Sequence, residues 1–165
     1  MRSTYIWLPL KIDGTTASMK NSVNWVLDAN TGSMSSGASE NSYEGETATL
    51  SGGAKSQSCN GCSGGKSAGY IGGSTSGTVL FANVQSSANT RTTIRMKHLN
   101  GDKSQRTAEV SVNGKSQKVA FLPHGGGDPA SSVVHVELKQ GSNEVRIGGS
   151  GGWGPDVDRI MVPQS

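Results

Sequence analysis

The sequence predicts an all-β chain, a β-sandwich of the jelly-roll type, and three observations carry that expectation. Gly accounts for 24 of the 165 residues and hydrophobic residues for only 32%, which is lean for a helical core and rich in turn formers. Apolar residues recur at every second position in segment after segment, and no segment shows a helical period. Turn residues separate these segments at short intervals, as in sandwiches and barrels.

The elements follow from that period. Ile94 and Met96 alternate with Arg95 and Lys97, and Ala108, Val110 and Val112 with Glu109 and Ser111. Val134, Val136 and Leu138 alternate with His135 and Glu137, while Val145 and Ile147 flank Arg146. Each reads as a strand with one buried and one wet face. Residues 78–84 are more uniformly apolar and are expected to form a central strand, with Phe81 and Phe121 as core anchors. Val112-Asn113-Gly114-Lys115 joins two strands through the residue pair that a type I′ hairpin prefers. Upstream, residues 5–28 hold Trp7 and Trp25 in two strand-like runs, and residues 31–39 read as a flexible linker. The expected organisation is an extension over 1–30, a linker over 31–40 and a main domain over 41–165.

Composition also excludes function classes. The formal charge is +3 with no basic run, so nucleic acid is not an expected partner. No stretch approaches the roughly 20 apolar residues that span a bilayer. The apolar run over residues 5–10 is too short for a signal peptide, so a secreted parent is expected to lose its signal upstream. Cys59 and Cys62 form a lone CxxC. Zinc would need two further ligands, and His98, His124 and His135 show no ligand spacing. A local disulfide pinning a Gly-rich loop is the preferred reading over free thiols, and it implies an oxidising, extracellular setting.

Two features could carry chemistry. If residues 43–50 form one strand, Glu44 and Glu46 share the core-facing side with Ala48 and Leu50. Near the other end, Asp158 shares parity with Ile160 and Val162. Buried carboxylates need compensation; an all-oxygen set suits calcium, and a wet sheet edge explains the same spacing equally well. The second feature is Trp153, isolated in Gly148-Gly-Ser-Gly-Gly-Trp153-Gly-Pro-Asp156, where it either folds back as a plug or is displayed as a platform for a sugar ring. Loops of similar character hold Tyr70, Asn100, Asp102, His124 and Asp128. Catalysis is poorly supported. Glu44 and Glu46 do not frame a cleft, no nucleophile elbow or phosphate loop is present, and His135 reads as ordinary surface.

From residue 41 to 162 the chain resembles carbohydrate-binding module family 35, a relative of family 6. The resemblance rests on Tyr43-Glu44-Gly45-Glu46-Thr47-Ala48, Cys62-Ser-Gly-Gly-Lys66-Ser-Ala-Gly-Tyr70-Ile71-Gly72, Val110-Ser-Val112-Asn113-Gly114, Leu138-Lys-Gln-Gly141-Ser-Asn143-Glu-Val-Arg146-Ile147 and Gly152-Trp153-Gly154-Pro155-Asp156-Val157-Asp158-Arg159-Ile160. It implies a sandwich with a structural calcium (Ca2+), held by Glu44, Glu46 and Asp158. It also implies sugar binding in loops at one end, with Trp153 and Tyr70 as leading contacts and Asn100, Asp102, His124 and Asp128 as further ones. Residues 4–28 resemble the tail of fungal galactan 1,3-β-galactosidases of glycoside hydrolase family 43, without the catalytic propeller. The expectation is therefore a secreted, monomeric, non-catalytic module that targets a glycoside hydrolase to β-1,3-galactan. Its partner is a polysaccharide or oligosaccharide, with no nucleic acid and no membrane. Alternatives are a uronic-acid or mannan/galactomannan binder, or a fragment with exo-β-1,3-galactanase activity.

Overall fold

The computed structural model describes residues 8–22, 24–124, 127–149 and 151–164. Tyr5 and Trp7, on which part of the N-terminal reading rests, lie outside them. The chain divides into two compact units, Met1–Ser39 and Glu40–Ser165.

In the first unit two hairpins follow one another: β1 (Leu10–Asp13) pairs with β2 (Thr16–Met19), and β3 (Trp25–Leu27) with β4 (Met34–Ser36). The second hairpin corrects the linker expectation, because residues 34–36 are its returning strand. The reason is local. Asp28 Oδ1 accepts hydrogen bonds from the main-chain N–H groups of Asn30 and Thr31, a turn that sends the Ser/Gly-rich stretch back along Trp25.

The second unit is a sandwich of a six-stranded and a five-stranded antiparallel sheet. Its strands are β5 (Glu40–Glu44), β6 (Thr49–Ser51), β7 (Lys55–Ser58), β8 (Lys66–Gly69), β9 (Thr78–Ser86), β10 (Thr90–Leu99), β11 (Arg106–Val112), β12 (Lys115–Phe121), β13 (Ala130–Leu138), β14 (Gly141–Gly149) and β15 (Asp156–Pro163). One sheet runs β13-β10-β15-β8-β7 with β5 also on β15, and the other runs β12-β11-β14-β9-β6. The alternation seen in the sequence is the alternation of burial: Ile94, Met96, Val110, Val134, Val145, Ile147, Phe81 and Phe121 all lie in the core between the sheets. Strand β9 is paired on both edges but is not apolar on both faces, since Ala82 and Asn83 are exposed. Asn113 and Gly114 both take positive φ, 49° and 85°, as the type I′ hairpin between β11 and β12 requires.

Two irregularities place the acidic residues. First, residues 43–50 do not form one strand. β5 ends at Glu44, Gly45–Thr47 is a 3-10 turn, and β6 joins the other sheet. The common-strand parity argued for Glu44 and Glu46 is thus wrong, because the chain changes sheet between them and Leu50. Gly45 permits that turn: a Cβ there would stand 2.4 Å from the carbonyl oxygen of Val157. Second, β10 pairs Lys97 with Arg159 but His98 with Val157, leaving Asp158 as an extra residue in β15. This β-bulge turns Asp158 inward beside Val157, and it is only 1% exposed.

Candidate functional site

Acidic cluster. Strand β15 passes from β5, where Arg159 faces Glu44, to β8, where Val157 faces Ala68. Asp158 sits at that junction. The loop closed by the Cys59–Cys62 disulfide folds over it: the Ser63 N–H donates to Asp158 Oδ1 at 2.9 Å and the Ser63 hydroxyl to Glu44 Oε1 at 3.0 Å. Glu46 Oε1 reaches the same loop, 2.9 Å from where a Cβ on Gly64 would stand. Burial pushes the Asp158 carboxyl up, and the Glu44 and Glu46 charges push the same way, against the Ser63 N–H and Arg159. Glu44 Oε2 and Glu46 Oε2 are buried without a hydrogen-bond partner.

Among the described residues, no three acidic, His or Cys side chains stand close enough together to hold a metal ion as they are placed. The donor set nevertheless fits a hard cation. Two orphaned buried carboxylate oxygens and a third, desolvated carboxyl border the Ser63–Gly64 segment, and Arg159 approaches Glu44 and Asp158 only to 3.9 and 3.7 Å. Such oxygens are costly to bury unless a charge compensates them.

Aromatic pocket. Trp153 is 49% and Tyr70 44% exposed, and their rings meet edge to face at 6.3 Å and 77°. The Trp153 loop is fastened to the segment after Tyr70 by two main-chain bonds, Gly73 N–H to Gly152 O and Gly154 N–H to Ile71 O. The indole lies on Gly73, where a Cβ would come within 2.6 Å of the ring. Tyr70 has φ 60°, a left-handed conformation rare for a bulky residue and found where a side chain must be aimed. Lys55 Nζ stands 4.3 Å from the Tyr70 ring centre.

These rings border a pocket of about 290 Å³ whose other walls are Gln57, Arg106, Gly154 and Asp156. Burial pushes the Asp156 carboxyl up, opposed by hydrogen bonds from the Gln57 side chain and the Tyr70 main chain and by the Arg106 charge. Arg106 is held by Asp102, Nε to Oδ2 at 2.7 Å, and by the Gly154 carbonyl, Nη1 to O at 2.9 Å. The pocket thus joins two half-exposed aromatics to a carboxylate, a guanidinium and an amide on rigid supports. This combination offers C–H stacking surface together with both donors and acceptors for hydroxyl groups.

The sequence-predicted loop residues divide accordingly. Trp153 and Tyr70 come together. Asp102 is one step removed, as the partner that orients Arg106. Asn100 is a correction: it is fully buried, with its amide donating to the Ser104 and Phe121 carbonyls and its oxygen accepting from the Asp102 N–H. A buried polar side chain engaged by Ser104, Phe121 and Asp102 presents no exposed group to a ligand. His124 accepts from the Asn100 N–H through Nδ1, a further support of that loop. Asp128 lies instead near the disulfide loop, where a Cβ on Gly61 would be 3.4 Å from its Cα. Gln57, Arg106 and Asp156 were missed. Asp156 alone had a local signal, three residues after Trp153 in the same loop.

No protein-family model matches the chain, and neither does any curated protein. Among solved structures, the family 35 carbohydrate-binding module from Clostridium thermocellum is 30% identical with a TM-score of 0.69, over 74% of this chain and 98% of that one. This chain belongs to carbohydrate-binding module family 35.

The module from Paenibacillus barcinonensis, at 22% identity and a TM-score of 0.68 over 76% of this chain and 99% of that one, shares the fold. The exo-β-1,3-galactanase from Phanerochaete chrysosporium, solved with galactose, is 34% identical with a TM-score of 0.79. That similarity covers 96% of this chain, and so reaches into Met1–Ser39, but the chain spans only 37% of the galactanase. The module is therefore like one part of that enzyme.

Proposed function

We propose that this module binds galactose-containing polysaccharide, β-1,3-galactan, in the Trp153 pocket and targets a secreted glycoside hydrolase to it, acting by binding and not by catalysis. The observation that carries the reading is the pairing of half-exposed Trp153 and Tyr70 beside Arg106, Asp156 and Gln57. One sugar ring would stack its C–H face on the aromatics, while Arg106 and Gln57 donate to its hydroxyls and Asp156 accepts from them. The choice of galactose is supported by likeness to an enzyme solved with galactose and with β-1,3-galactotriose. The Cys59–Cys62 bond supports an extracellular setting.

Glu44, Glu46 and Asp158 would hold a structural calcium, with Ser63 close by. The ion would neutralise the cluster and tie β5 to β15, adding its binding energy to folding. The reading is tested by titration calorimetry against galactose, β-1,3-galactooligosaccharides, glucuronic and galacturonic acids and mannooligosaccharides. Preference for the galacto-series supports it. Binding of uronates or mannans alone would replace the ligand, and no binding to any glycan would reject the function.

A further inference from the structure

We propose that the outer face of the five-stranded sheet carries a second carbohydrate subsite, which takes the neutral sugar units continuing from the residue held at Trp153. The inference rests on the reading of the Trp153 pocket as a sugar site and extends it to a part of the fold that the reading does not use.

The subsite is a cleft of about 370 Å³, within the size range of small-ligand sites. The pairing register builds it. One cross-strand row runs Lys118, Glu109, Gly148, Thr78, Ser51, and the next runs Ser116, Ser111, Arg146, Leu80, Thr49. Gly148 leaves a gap in the first row, between Glu109 and Thr78, where any other residue would raise a side chain. The end wall is main chain: Gly72 and Gly149 pack so closely that a Cβ on Gly149 would lie 2.4 Å from the Gly72 Cα. That wall is the same glycine segment on which Trp153 rests, so the cleft, lined by Gly73 and Gly152, adjoins in the chain the aromatic pocket lined by Trp153 and Gly154. A ridge without side chains is one that a glycan chain can cross.

The polar groups are available. Among the described residues the side chains of Arg146 and Glu109 are exposed and form neither a hydrogen bond nor an ion pair, unlike those of Arg106, Arg91 or Glu137, each of which is engaged. A guanidinium that donates and a carboxylate that accepts, with the Ser111 and Ser116 hydroxyls in the row beside Arg146, match the hydroxyl pattern of neutral sugars. The opposite charges offset one another and leave little preference for an anion. The cleft has no aromatic lining, so it holds sugar weakly alone and contributes once the chain is anchored at Trp153, when its binding becomes intramolecular.

The test is calorimetry with galactose and with β-1,3-galactooligosaccharides from disaccharide to hexasaccharide. In the unaltered protein affinity should rise with chain length. Arg146→Ala and Glu109→Gln should each lower affinity for the longest oligosaccharide about tenfold and leave galactose binding within about twofold. Trp153→Ala should weaken every length. Amide spectra of the unaltered protein provide a readout free of folding effects: Gly148 and Ser111 signals should shift with hexasaccharide and not with galactose. Equal affinity at all lengths, or a length dependence untouched by both variants, overturns the subsite and leaves the Trp153 reading standing. Absence of binding to every one of these sugars overturns both.

Discussion

Replacing Trp153 by Ala separates a binding role from a folding role, and the structure sets the size of each. A covered Trp side chain removes about 200 Å² from water. With Trp153 49% exposed, about 100 Å² remains for a ligand to cover. At about 25 cal/mol per Å², full cover contributes about 2.5 kcal/mol, and a sugar covering most of it about 1.5–2.5. Trp153→Ala should therefore raise the Kd for galactooligosaccharides roughly 10- to 60-fold. The buried half, resting on Gly73 and Tyr70, is not free of structural worth. Its loss should cost about 1–2 kcal/mol, which lowers Tm by about 3–8 °C, and the protein should remain folded at 25 °C. The two quantities are read from calorimetric titration and a thermal melt on the same preparation. A Tm drop beyond about 12 °C with Kd unchanged within twofold would make Trp153 a plug and refute the assignment of the site.

The other expectations concern the supports of that site. Chelation by EDTA should lower Tm, calcium should restore it better than magnesium, and Asp158→Asn should abolish most of the response; a melting curve unmoved by either step refutes the metal assignment. Asp102→Ala, which releases Arg106, should weaken sugar binding several-fold with little change in Tm, and an unchanged Kd would show that Arg106 needs no such anchor. Burial holds the His98 imidazole below its ordinary value, against an opposing pull from the Leu122 and Met96 main chain. Since the unfolded chain then binds the proton first, stability is full above about pH 6.5 and falls as pH drops below it, by at most about 1.4 kcal/mol per unit. His98→Leu should flatten that slope between pH 6.5 and 5 in denaturant titrations, and an identical slope would refute it. Reduction of Cys59–Cys62 should cost no more than about 2 kcal/mol, the chain-entropy value for so short a loop, as measured by denaturation with and without reductant.

The strands, the core and the disulfide were legible in the sequence because each depends on local pattern. Period-2 alternation decides which face of β10, β11, β13 and β14 meets the core whatever lies opposite, and Asn113-Gly114 specifies a hairpin through its own backbone preferences. Trp153 stood out for the same reason, as a large apolar side chain with only glycines around it. What the sequence could not determine are the places where the pattern breaks. Glu44 and Glu46 were placed on one strand, and a 3-10 turn with a change of sheet overrode that parity, permitted by Gly45 against the Val157 carbonyl. Asp158 is aimed inward by a bulge, which exists only in relation to β10. Asn100 looked like a displayed loop residue until burial consumed its amide. Gln57, Arg106 and Asp156 come from β7, β11 and β15 of two different sheets, and no spacing along the chain encodes their meeting. Alternation is dictated by the geometry of one strand and can be read one residue at a time. A pocket is dictated by which strand ends the sandwich brings to one rim, and that is settled only when the two sheets close over their common core.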